Sequence, residues 1–228
     1  MKALITAAVL LAPAALQAQT LPGSSDLDDS RLVARTWEVT ITMKRGDQSM
    51  NAGTTKYELA EMPGSRWAYM TTTTTQLGTA SDTTIMKQGT LEPISHRSHA
   101  VPRTLSLDFD GTRVTGVYAP RDSAGRDIER VTAVPTFDAA VLDVILSSLP
   151  LAAGYATRLP MYIEEQKGLV WFDVTVAGAT DVGSVPAWDV RGGAMNYTVS
   201  FKLARDDHRF LAGRVEYPNG AAMEMTRK

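Results

Sequence analysis

The sequence predicts a mainly β protein: a strongly curved antiparallel sheet or open barrel, with one amphipathic helix, about residues 138–149, packed in its concave side. Three observations carry this expectation. Apolar and polar residues alternate with period two along most of the chain. Two stretches hold turn residues that set a hairpin register. One stretch alone switches to helical spacing.

Each element follows from its residues. Trp37, Val39, Ile41 and Met43 alternate with Glu38, Thr40, Thr42 and Lys44, the pattern of a strand with one buried face. Residues 67–76, with threonine at every position from Thr71 to Thr75, favour a pleated surface. Within 105–118, Asp110-Gly111 makes a two-residue hairpin turn. Pairing outward from it predicts Asp108 opposite Arg113, Leu107 opposite Val114 and Ser106 opposite Thr115, so that like meets like and charge meets counter-charge. Within 210–226, Pro218-Asn219-Gly220 suits a three-residue turn and predicts Val215 opposite Met223 and Arg214 opposite Glu224. Val170, Phe172, Val174 and Val176 alternate inward, as do Tyr197, Val199, Phe201 and Leu203, and residues 178–185 read as a turn region between strands. In 136–150, Val141, Leu142, Ile145, Leu146 and Leu149 fall at helical spacing. Thr136 or Asp138 can cap the start, and Pro150 stops the end.

The N-terminus, residues 1–18, reads as a secretory signal peptide. Lys2 supplies the positive charge, residues 3–16 are an apolar run, and Ala18 is a small residue suited to cleavage. The run is short for a membrane span and no second one follows, so no transmembrane segment is expected after its removal. The periplasm is the expected location, with secretion as the alternative. Residues 19–31, with Pro22-Gly23-Ser24-Ser25 and Asp26, Asp28 and Asp29, read as a flexible lead-in. Residues 32–228 are expected to form a single β-rich domain, weakly divided near 135. A formal net charge of −2 argues against nucleic acid as a partner. With no cysteine, an exported fold of this kind rests on packing and hydrogen bonds rather than disulfides.

Candidates for chemistry are few. Of the three histidines, His96 and His99 are three apart, which on a strand sends them to opposite faces and argues against a shared metal; both read as surface histidines. Asp108-Phe109-Asp110-Gly111 has the look of a calcium loop but lacks the further oxygen ligands, and the hairpin accounts for both aspartates. Arg205-Asp206-Asp207-His208-Arg209 could hold an acid–base group, but reads better as a solvated turn. There is no Gly-x-Ser-x-Gly elbow and no glycine-rich phosphate loop before a helix. Neither a catalytic set, a metal nor a cofactor is expected. Trp171 shares an outward face with Asp173 and Thr175, where it could stack on a sugar. The ten methionines suit a plastic, adaptable interior.

Phe137-Asp138, then Leu146-Ser147-Ser148-Leu149-Pro150-Leu151, then Gly154-Tyr155 resembles the exported bacterial proteins of the DUF3108 type. The likeness covers the C-terminal half and continues through residues 171–175 to Met225-Thr226-Arg227. It implies a fold similar to the curled half-barrels of lipoprotein carriers, where a sheet wraps a helix. It implies no activity and transfers no catalytic residue.

A curled sheet with a Leu- and Met-lined interior suits an apolar ligand. The expected function is therefore a non-enzymatic cell-envelope protein that binds a lipid-like or other hydrophobic molecule. Leu142, Ile145, Leu146 and Leu149 of the helix and Trp171 are the candidate ligand-binding residues. The alternatives are an interaction module for envelope polysaccharide or a protein partner, and a hydrolase built on His208 with Asp206 and Asp207.

Overall fold

The alternation at Trp37 to Lys44 does build a strand, and fourteen more follow it in the computed structural model, which describes residues 18–228. In chain order they are β1 (Arg35–Arg45), β2 (Gln48–Met62), β3 (Arg66–Thr75), β4 (Gly78–Lys87), β5 (Pro93–Ala100), β6 (Arg103–Asp110), β7 (Arg113–Pro120) and β8 (Arg126–Val131). Then come β9 (Phe137–Asp138), α1 (Leu142–Ser147), β10 (Ala156–Ile163), β11 (Gly168–Val182), β12 (Val185–Ala194), β13 (Tyr197–Ala204), β14 (Phe210–Glu216) and β15 (Ala221–Arg227). All fifteen strands lie in one open sheet. Two antiparallel meanders, β1 to β8 and β10 to β15, join edge to edge through β1 and β15, and the short β9 runs parallel to β10 at the far margin. The weak division near 135 falls where the chain leaves β8 at one margin and re-enters as β9 at the other; the sheet itself is continuous between the halves.

A meander sends alternate turns to opposite ends. One end, the mouth, carries the turns after β1, β3, β5, β7, β10, β12 and β14; the other end is the base. The helical segment runs from mouth to base inside the curl. Asp138 caps a 3-10 turn, Ala139–Val141, by accepting from the Ala140 amide at 3.1 Å, and α1 follows directly. The α-helical part is shorter than the spacing predicts. Val144, Ile145, Leu146 and Leu149 are all buried, among Trp37, Leu59 and Tyr69 from one half of the sheet and Leu159, Phe172, Phe201 and Phe210 from the other. The charged side chain of α1, Asp143, is turned to protein: Tyr69 Oη donates to it at 2.8 Å. A strongly curved sheet encloses its helix on more than one side, which leaves little room for a wet face.

The signal segment lies outside the described residues, apart from Ala18. The lead-in is not free chain. Gln19 bridges to Arg158, and Leu27 and Leu32 are buried. Asp29 accepts from Trp67 Nε1 at 3.1 Å and from the Gly89 amide at 2.6 Å, both at the base. The Asp28 amide donates to the Ser148 carbonyl at 2.8 Å. Its polar composition reads as loose chain, but Leu27, Leu32, Asp29 and the Asp28 amide have partners there, so it closes the base as a strap.

The closing hairpin has the expected register, with Val215 opposite Met223 and Arg214 opposite Glu224. The other hairpin does not. Its turn is Gly111-Thr112, which sets Asp110 opposite Arg113, Phe109 opposite Val114 and Asp108 opposite Thr115. Gly111 takes the first central position with φ +59°, where a type II′ turn needs positive φ. The pairing differs from the expected one by two residues, so every side chain keeps its face. The charges are matched across other strands: Asp108 with Arg97 of β5 at 2.6 Å, and Arg113 with Glu129 of β8 at 2.6 Å. Residues 178–185 are not a broad turn either. Strand β11 continues to Val182, Gly178 marks a register shift within it, and the turn is Gly183-Ser184.

Candidate functional site

The curl brings the two margins of the sheet together near the mouth. Tyr162 of β10 is buried against Leu105, Leu107, Val114 and Ile128 of β6 to β8, with Phe109 edge-on at 5.7 Å between ring centres. Two ion pairs follow the seam, Arg126 to Glu164 and Arg103 to Glu165, each at 2.7 Å. Among the described residues no backbone ladder closes it. The 3-10 turn at Ala139 divides the space behind the seam into two clefts, which share Ala139, Ile163 and Glu165 in their walls.

The first cleft, about 310 Å³, is apolar. Leu142, Met161, Ile163, Val170, Phe172 and Tyr197 line it, and Met195 sits at its rim. The side chains converge because β10 and β11 alternate inward at Met161, Val170 and Phe172, while the turn between β12 and β13 folds over from the mouth.

The second cleft, also about 310 Å³, is polar. His96 forms its floor. Its Nδ1 lies 2.8 Å from Asp138 Oδ2, and its Nε2 lies 3.7 Å from Asp82 Oδ1. Thr84, directly opposite His96 in the β4–β5 ladder, donates from Oγ1 to Asp138 Oδ2 at 2.6 Å. Burial on its own would lower the His96 pKa, but the hydrogen bond and charge of Asp138, with Asp82 beyond, hold it above its ordinary 6.5. Burial pushes the Asp138 carboxyl up, and His96, Thr84 and the Ala140 amide outweigh it, leaving the pKa below 3.8. The pair is thus poised as imidazolium and carboxylate at mildly acidic pH. Thr71, Thr73 and Ser98 add hydroxyls, and Arg103 lines the wall with its Nη1 buried and without a hydrogen-bond partner.

The expected site residues are scattered over these surroundings. Leu142 lines the apolar cleft. Ile145, Leu146 and Leu149 are wholly buried in the core, and a ligand could reach them only if the core opened. Trp171 is on the outer face of β11, with the Arg158 guanidinium 5.1 Å over its ring and Arg158 in turn held by Asp173. His96 and His99 do take opposite faces, but His96 is buried, and so is His208. His208 lies in the base turn with φ +54°, its Nδ1 donating to the Ser147 carbonyl at 3.1 Å and Arg31 Nη1 3.1 Å from its Nε2. Burial, with Arg31 alongside, lowers its pKa. Asp206 and Asp207 bind Arg209 rather than the imidazole, which leaves the hydrolase arrangement unassembled. Among the described residues no group of three His, Cys, Asp or Glu side chains is placed to hold a metal ion, and no helix is long and apolar enough to cross a membrane.

Sequence reasoning missed His96, Asp138, Thr84 and Asp82. One signal was present: His96 and Ser98 are polar residues two apart, on the face of β5 that turns inward.

The fold and its clefts define a class: an open, curled antiparallel sheet wrapped around a short helical segment, strapped at the base and accessible at the mouth. A family model described as "Protein of unknown function (DUF3108)" matches residues 33–211, and the chain belongs to that family. The match reaches well into the first meander, beyond the C-terminal half that carries the visible motifs, and stops before the last strand. Among solved structures, the chain is similar to a DUF1329 family protein from Desulfovibrio piger ATCC 29098. The identity is 11%, the coverage 88% of this chain and 86% of that chain, and the TM-score 0.35. None of the curated proteins searched matches.

Proposed function

We propose that this protein is a non-enzymatic component of the cell envelope, exported to the periplasm, that holds a lipid-like or other hydrophobic molecule at the mouth of its sheet. The observation that carries the reading is the apolar cleft of about 310 Å³ walled by Leu142, Val170, Phe172 and Tyr197. That volume is at the small end of ligand sites, and the lining has the expected character: mainly apolar, with a few polar groups at one side. The signal-like N-terminus supports export. Ile145, Leu146 and Leu149 pack the core behind α1 and are not part of the contact surface.

The test is uptake of a neutral apolar fluorophore such as N-phenyl-1-naphthylamine, alongside native mass spectrometry of protein purified from its host. Saturable uptake that is lost on Val170→Asp, with retained fold by circular dichroism, supports the reading. A clean apo mass together with no uptake would rule it out.

A further inference from the structure

The polar cleft beside the apolar one is not explained by binding a hydrocarbon. Its inner polar atoms are of both kinds. Arg103 Nη1 is a buried donor without a partner, and His96 Nε2 is held 3.7 Å from Asp82, beyond hydrogen-bond reach. Asp82 is an acceptor whose hydrogen bond comes from Thr71 Oγ1 at 3.3 Å, a long one. The other two carboxylates at the seam are taken up: Glu164 by Arg126 and Tyr162, Glu165 by Arg103 Nη2. Asp138 is occupied by His96, Thr84 and the Ala140 amide.

A buried donor without a partner costs free energy until met, and Asp82, partly exposed with one long hydrogen bond, has acceptor capacity to spare on the same cleft wall. A carboxylate head would meet Arg103 but face Asp82, Glu164 and Glu165. An ammonium head would meet Asp82 but leave Arg103 and His96 unmet. A hydroxyl both donates and accepts, so neighbouring hydroxyls can satisfy both kinds at once. The two clefts share Ala139, Ile163 and Glu165 in their walls, so they adjoin.

We infer that the ligand is an amphiphile with a polyol head, such as a glycerol or sugar group, seated between Asp82, His96 and Arg103, with its chain in the apolar cleft. This rests on the preceding reading of the apolar cleft and names its ligand class. The Thr71, Thr73 and Ser98 hydroxyls complete the wall around the head.

The experiment is displacement of N-phenyl-1-naphthylamine by three twelve-carbon amphiphiles below their micelle-forming concentrations: 1-monolauroylglycerol, dodecanoate and dodecylamine. The glycerol ester is expected to displace the probe at a concentration at least about tenfold lower than either charged amphiphile, the effect of one or two well-placed hydrogen bonds. Asp82→Ala and Arg103→Met should each reduce that preference to less than about threefold while probe binding itself is unchanged, a split that a general loss of fold would not produce. Equal displacement by all three amphiphiles in the wild type would overturn the head assignment and leave the apolar cleft as a site. A preference that survives both substitutions would overturn it as well. No probe binding at all would remove the apolar cleft as a site, and the head assignment with it.

Discussion

His96 on β5 and Asp138 at the start of the helical segment lie 2.8 Å apart, Nδ1 to Oδ2, and both are buried. Asp138 caps the 3-10 turn through the Ala140 amide and accepts from Thr84, so one carboxylate joins β4, β5 and the helical segment. The floor of the polar cleft and the placement of the helix are therefore one hydrogen-bonded unit.

That unit makes stability depend on pH in a definite window. His96 has its pKa raised in the folded state, so its contribution is complete below 6.5 and is lost as pH rises through the folded value. Asp138 has its pKa lowered, so its contribution is present above 3.8 and is lost as pH falls through the folded value. Both are present together between about pH 4 and pH 6.5. Urea unfolding of the wild type and of His96→Asn should differ most near pH 5 to 6, roughly, and the gap should narrow by about pH 8. A gap that stays constant across that range would show that the ion pair is not its source.

Asp143 titrates in the opposite sense. Burial raises its carboxyl pKa to about 6, opposed in part by the hydrogen bond from Tyr69. The folded state holds that proton more tightly than the unfolded chain does, so stability falls as pH rises from 3.8 to about 6. Asp143→Asn keeps an acceptor for Tyr69 and removes the charge. It should stabilise the protein at about pH 8 by on the order of 1–2 kcal/mol and have much less effect near pH 4. Equal effects at the two pH values would contradict the assignment.

Gly53 sits where β1 and β2 shift register, with φ +139°. A Cβ there would lie 2.1 Å from the Thr74 carbonyl oxygen of β3, so the neighbouring backbone would have to move. At Gly46, φ is +56° and a Cβ would meet nothing within 4 Å, so alanine there faces only the left-handed conformation, about 1 kcal/mol. Gly53→Ala is expected to cost at least twice as much, roughly 2 kcal/mol or more. Chemical denaturation of the two variants side by side decides it, and equal losses would count against the close approach.

Leu149 and Leu142 separate packing from binding. Leu149 is fully buried, and Leu149→Ala should cost about 2–5 kcal/mol through the cavity it leaves. Leu142 is half-buried at the cleft wall, so Leu142→Ser should cost less stability and weaken probe uptake more. Thermal melts and uptake measured on both variants test the division. A Leu142→Ser protein that binds as well as the wild type would place the ligand elsewhere.

The faces of the strands were legible because the signal is local. A buried strand face repeats every second residue, and Trp37, Val39, Phe172 and Val174 show it without any partner in view. The Pro218-Asn219-Gly220 turn admits one register, and that register is observed. Asp110-Gly111 and Gly111-Thr112 both make acceptable two-residue turns, and they differ by two residues in pairing, which preserves every face. In the observed register Asp108 pairs with Arg97 on β5 and Arg113 with Glu129 on β8.

The sequence by itself determined the strand-rich class, the inward and outward faces, the closing hairpin and the position of the helical segment. Those depend on neighbours a few residues apart. Only the tertiary structure decided the length and enclosure of the helix, the strap at the base and the polar cleft. Thr84, His96 and Asp138 come from three elements, and Arg103 and Glu165 meet only because the sheet curls until its margins touch. Curvature sums small twists over many strands, and no short window of residues records that sum.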